Sequence, residues 1–166
     1  MDIYDYAMQL EKEGEDLYKK FADTTNDPML TNIFTWLAQQ EKQHYDIFKK
    51  MKEDQPIRLD PPVSFINDVK NIFSEWKKQK VPSLATQAQA DVYRTALTVE
   101  QKSIDLYTKD AILIHEPEKE KIFLRLASEE KKHFVIVENI IEFISKPEHW
   151  VEHAEFTHDL EKDYYL

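Results

Sequence analysis

The chain has 166 residues, enough for one domain with a real core and too few for two comfortable ones. A formal net charge of −10 argues against nucleic acid or an anionic membrane surface as a partner, because both select a basic face. The absence of cysteine excludes disulfides, thiolate metal sites and cysteine nucleophiles, and a single glycine argues against a turn-rich β fold and for long helices.

The first predicted helix runs from Ile3 to Asp23, with Ile3, Ala7, Leu10, Gly14, Leu17 and Phe21 recurring in threes and fours. Its start, MDIYDYAMQLEKEGED, is acidic from the second residue and carries no basic-then-apolar signal; with no cysteine in the sequence, a reducing, cytoplasmic compartment is the default expectation. Asp27-Pro28 reads as the start of a second helix carrying Ile33, Leu37, Ile47, Phe48 and Met51. Pro56, Pro61 and Pro62 end it in an extended connector. A shorter amphipathic piece, Val63 to Lys80, follows and closes at Pro82. The third long helix spans about Ala85 to Ile114, and Glu116-Pro117 marks the turn into a fourth, about Glu118 to Ile144. No apolar run approaches the ~20 residues that a membrane span needs.

Sliding the chain by 89 positions aligns Tyr4–Phe48 with Tyr93–Val137 without a gap, and 17 of the 45 pairs are identical. The chain therefore reads as a duplicated helical hairpin: an all-α, antiparallel four-helix bundle over residues 1–146, with a long crossover at about 54–84. Residues 147–166 form a tail expected to pack on the bundle or on a partner subunit. Its His149, His153 and His158 stand among glutamates and read as a solvated or interface helix rather than a second metal site.

The informative matches are polar residues on apolar faces. At 100° per residue, Glu41 and His44 fall within the arc of Ile33, Leu37, Phe48 and Met51. Glu130 and His133 fall identically among Ile122, Leu126, Val137 and Ile140. Glu11 lies between Ala7 and Tyr18 on the first helix's buried stripe, and Glu100 between Ala96 and Tyr107 on the third's; Glu13 and Asp16 point away. Four buried carboxylates without cations would repel one another and push their pKa values up. Lys42 and Lys131 face elsewhere, whereas two divalent metals would balance four negative charges. The i, i+3 spacing lets one helix offer a carboxylate and an imidazole to one ion, about 4.5 Å apart along the axis. An oxygen-rich, imidazole-completed set without thiolate suits Fe or Mn better than structural Zn.

One Glu from each of two helices, with Glu-x-x-His from the other two, is the signature of ferritin-like dimetal bundles. The chain resembles the ferritin-like superfamily, and within it the diiron domain of the rubrerythrins, over about Ile3 to Ile144. Glu11, Glu41, His44, Glu100, Glu130 and His133 stand at that family's ligand positions, with 30 residues between glutamates in both halves. The resemblance implies two iron ions, with Mn or Zn as substitutes, in an oxidoreductase that reduces hydrogen peroxide or dioxygen. It also implies a separate electron donor such as a rubredoxin, and a homodimer; the alternative is a ferroxidase for iron storage or detoxification. Typical relatives carry a four-cysteine rubredoxin domain, and this sequence has no cysteine. They also have an extra glutamate one turn before the third helix's ligand, where this chain has Leu97. Tyr18 and Tyr107 read most simply as core aromatics, although such tyrosines in the family can hydrogen-bond a ligand carboxylate. Trp36 and Trp76 read as packing or dimer contacts.

Overall fold

The computed structural model describes residues 2–59, 69–71, 73–75, 78 and 86–146, and four long helices carry most of them. They are α1 (Ile3–Thr24), α2 (Pro28–Lys52), α3 (Gln87–Leu113) and α4 (Pro117–Ser145). Apart from the end of α2, which stops four residues before Pro56, each end lies within two residues of its sequence-based expectation, and local chemistry sets the starts. Asp2 accepts the Asp5 N–H at 2.8 Å, and Asp27 accepts from Met29 at 2.8 Å and Leu30 at 3.2 Å. Thr86 and Gln89 close a reciprocal capping box on α3. No side chain caps α4, and Pro117 in its first turn removes one N–H that would otherwise lack a partner.

Three-residue turns at 25–27 and 114–116 fold each hairpin back on itself. At one end of the bundle, Lys52 from the end of α2 meets Asp5 and lies 3.2 Å from Asp2 at the start of α1. At the same end, Lys119 at the start of α4 lies 3.1 Å from Asp54, just beyond α2. The order is therefore up, down, down, up. Because α2 ends where α3 does not begin, residues 53–86 must carry the chain the length of the bundle. That single long crossover distinguishes the ferritin-like bundle from a simple meander.

Val69 and Phe73, from helical turns of the crossover, are buried in the core beside Tyr18, Phe34, Leu37, Tyr93, Ile136 and Ile140. A second apolar cluster gathers Ala7, Phe48, Met51, Tyr107, Phe123 and Leu126. The two clusters exchange members under the 89-residue repeat: Tyr18 and Tyr107, Ile33 and Ile122, Leu37 and Leu126. The midsection between them is polar, with Glu11, Glu41, His44, Glu100, Glu130 and His133 buried there. The rest of the expected Val63–Lys80 piece, including Phe65, Ile66, Ile72 and Trp76, and the whole of the tail with His149, His153 and His158, lie outside the described residues.

Candidate metal centre

All six predicted residues meet in that midsection. Glu11 and Glu130 are 0% exposed, His44 1%, and Glu41, Glu100 and His133 2%. Helix α1 supplies Glu11, α2 supplies Glu41 and His44, α3 supplies Glu100, and α4 supplies Glu130 and His133. They form two groups whose donor atoms lie within 4.8 Å of one another: Glu11, Glu41, His44 and Glu130; and Glu41, Glu100, Glu130 and His133. Glu41 and Glu130 belong to both. The two imidazoles stack nearly parallel, 5.6 Å between centroids and 13° between planes.

Both histidines turn Nδ1 toward the carboxylates. His44 Nδ1 lies 2.6 Å from Glu130 Oε1 and 3.5 Å from Glu11 Oε2. His133 Nδ1 lies 2.8 Å from Glu41 Oε1 and 3.0 Å from Glu130 Oε2. Three carboxylate oxygens in the cluster, Glu11 Oε2, Glu41 Oε1 and Glu100 Oε2, are buried without a hydrogen-bond partner among the described residues. The short approach of His133 Nδ1 to Glu41 Oε1 is an ion-pair distance that does not meet hydrogen-bond geometry. Buried lone pairs without donors are costly, and a cation is what they lack.

Electrostatics agree. Burial pushes Glu41, Glu100 and Glu130 up, and neighbouring carboxylates add to the shift: Glu130 against Glu41 and Glu100, and Glu11 against Glu130. His44 moves up although burial opposes it, because Glu130 and Glu11 favour its cation. His133 moves down, driven first by burial. Four carboxylates and two imidazoles, free of thiolate, match two divalent cations in charge and in donor type, and suit iron.

The next layer of residues is equally specific. The Tyr18 hydroxyl donates to Glu100 Oε1, and the Tyr107 hydroxyl donates to Glu11 Oε1. Each tyrosine thus orients the glutamate of the opposite helix and leaves the other oxygen, Oε2, aimed at the cluster. Both tyrosines are core aromatics as well, 1% and 0% exposed, so the two sequence-based readings are compatible. Gly14, the chain's one glycine, stands against Glu41: a Cβ at that position would lie 2.4 Å from Glu41 Oε2. Glu129 Oε2 lies 2.9 Å from His44 Nε2, and its Oε1 accepts from Arg125 Nε at 2.9 Å. Although burial works the other way, the His44 hydrogen bond and Arg125 bring the Glu129 carboxyl down to about 2.

Sequence reasoning missed two of these. The repeat does not mark Glu129, because its partner position holds Gln40 and only matched polar pairs stand out. Gly14 was counted with the apolar stripe; its signal was being the one glycine, placed mid-helix where glycine costs about 1 kcal/mol. Trp36 is more than packing, since its ring meets His133 edge-on at 5.8 Å and 83°. Leu97 packs partly buried against the Tyr18 cluster, so no seventh carboxylate occupies that turn. Glu13 is exposed, as its wheel position requires.

Comparison with curated proteins and with solved structures returned no match. A model of the rubrerythrin family matches residues 2–141, a span that takes in all six residues of the cluster and both tyrosines. With the bundle topology and a buried carboxylate–histidine cluster that fits a diiron site, this match assigns the chain to the rubrerythrin family.

Proposed function

We propose that the chain is a non-haem diiron oxidoreductase that reduces hydrogen peroxide, or uses dioxygen, with electrons from a separate donor. The observation that carries this reading is the sharing of Glu41 and Glu130 between two four-residue groups, which would let the chain hold two ions. Glu11 with His44, and Glu100 with His133, would each complete one ion. Two ferrous ions bound there would supply the two electrons that break the peroxide O–O bond; with two protons, the products are two waters.

The chain's own residues do the rest. Tyr18 and Tyr107 hold the outer oxygens of Glu100 and Glu11, so that each carboxylate presents a single defined oxygen inward. Gly14 leaves room for Glu41 to lie against α1. The two aromatic clusters above and below exclude water and keep the electrostatic interactions strong. No cysteine occurs in these 166 residues, so they hold no thiolate-bound relay of their own. Among the described residues, no helix is long and apolar enough to cross a membrane.

The test is anaerobic loading with ferrous iron, then titration with hydrogen peroxide. Two irons per chain oxidised by one peroxide, with turnover when a reduced rubredoxin-type donor is added, is the expected result. Failure to load iron would overturn the metal reading. Loading far beyond two irons per chain, without donor-driven turnover, would favour storage instead.

A further inference from the structure

The six inner residues are symmetric under the 89-residue repeat, but what surrounds the two histidines is not. Behind His44 stands Glu129, its two oxygens divided between His44 Nε2 and Arg125 Nε, each at 2.9 Å. The repeat partners of Glu129 and Arg125 are Gln40 and Trp36. Gln40 is neutral and bonds to Gln43 at 3.4 Å, and the Trp36 ring meets that of His133 in a T-shaped contact. Among the described residues, no carboxylate pairs with His133 Nε2: its ion-pair distances, to Glu41, Glu100 and Glu130, all run to Nδ1, and Glu129 acts on His133 only through space, whereas it hydrogen-bonds His44 directly.

Because both Nδ1 atoms face the cluster, Nδ1 is the atom that would meet a metal, and Nε2 keeps its proton and points outward. An imidazole whose outer N–H donates to a carboxylate is a more basic, better oriented ligand than one whose outer N–H meets neutral groups. Arg125 holds the Glu129 carboxylate in place, so its charge does not have to be desolvated unpaired. Glu129 is not itself an inner ligand. It lies beyond the far side of the His44 ring and belongs to neither four-residue group.

We propose that Glu129, fixed by Arg125, is a positioning residue that makes the His44 position the tighter of the two metal positions, so that the chain fills them in order. This rests on the metal reading above and adds to it a difference between the two positions.

The test is anaerobic titration of the full chain with cobalt(II), followed by its visible absorption, for the unaltered protein, Glu129→Gln and Arg125→Gln. The unaltered chain should bind in two resolved steps. Glu129→Gln should weaken the first step by about 10–100-fold and leave the second within about twofold, so that the steps merge. Arg125→Gln, which keeps the carboxylate but frees it, should shift the first step in the same direction by less. In the zinc-loaded protein, the proton NMR resonance of His44 Nε2–H should move upfield in Glu129→Gln while that of His133 stays. That readout separates loss of this hydrogen bond from general loosening, which would move both. A single unresolved step in the unaltered protein, or equal weakening of both steps in Glu129→Gln, would overturn the proposal while leaving the metal reading intact. Absence of cobalt binding by the unaltered chain would overturn both.

Discussion

Tyr107 on α3 donates its phenolic hydrogen to Oε1 of Glu11 on α1, 96 positions earlier in the chain. The reciprocal bond joins Tyr18 on α1 to Glu100 on α3, 82 positions away. The crossing gives a prediction with a built-in control. Tyr107→Phe should weaken the metal position that contains Glu11 and His44, and Tyr18→Phe the one that contains Glu100 and His133. Hydrogen bonds to charged groups contribute about 1.5–3 kcal/mol, so each variant should lose roughly tenfold or more in affinity at one position. Calorimetric metal titration of the two variants checks this. If each instead affected the position of the glutamate on its own helix, the crossing would be wrong.

Gly14→Ala separates fold from site. Alanine in mid-helix is favoured over glycine by about 0.5–1 kcal/mol, which offsets part of the cost of moving the buried Glu41 side chain, so the metal-free protein should melt within about 5 °C of the unaltered one. The new methyl, 2.4 Å from Glu41 Oε2, must push that carboxylate aside. Since Glu41 belongs to both groups, bound metal should fall at both positions. Thermal melts and elemental analysis on the same samples decide the point; unchanged metal content would mean that Glu41 has another place to go.

Sharing also orders the glutamates by effect. Glu41→Ala and Glu130→Ala should each cost both metals, and Glu11→Ala and Glu100→Ala one each. Exposed Glu13→Ala should cost none. Iron per chain after anaerobic reconstitution provides the comparison, and equal losses in all five would refute the facing of the helices.

Acidity should act on the metal-free and metal-loaded forms with opposite signs. In the metal-free bundle, burial and mutual repulsion raise Glu41, Glu100 and Glu130 above their unfolded values, and His44 is raised as well. Folding then takes up protons, so stability lost at neutral pH is recovered as pH falls toward the ordinary carboxylate value of about 4.5. The His44 gain is complete once pH has fallen to its unfolded value of 6.5; below it His133, lowered, works the other way but is one group against the three glutamates. Below about 4.5 the Glu129 contribution disappears as pH falls toward its folded value of about 2, so the gain ends there. With metal bound the ligands must be deprotonated, and acid expels the ion and its stabilisation. Melting temperatures of both forms between pH 7 and about 4.5 should therefore diverge in slope; parallel curves would show that the six residues do not titrate as one site.

The helices, their starts and the six inner residues were legible in the sequence because each depends on local or repeated information. Capping residues and prolines act within one turn, and an amphipathic helix shows its buried face through its own period. A duplicated chain also writes the polar exceptions twice, which is why Glu41 with His44 and Glu130 with His133 stood out against their apolar arcs. Tertiary structure alone decided what lies between helices. No helical wheel shows that Tyr107 reaches Glu11 rather than Glu100, because the partner is chosen by how α1 packs on α3. Nor does one show that Gly14 yields its space to Glu41, or that Glu129 backs His44 on another helix. Those contacts are distances between side chains far apart in sequence, and close packing of the whole bundle determines them.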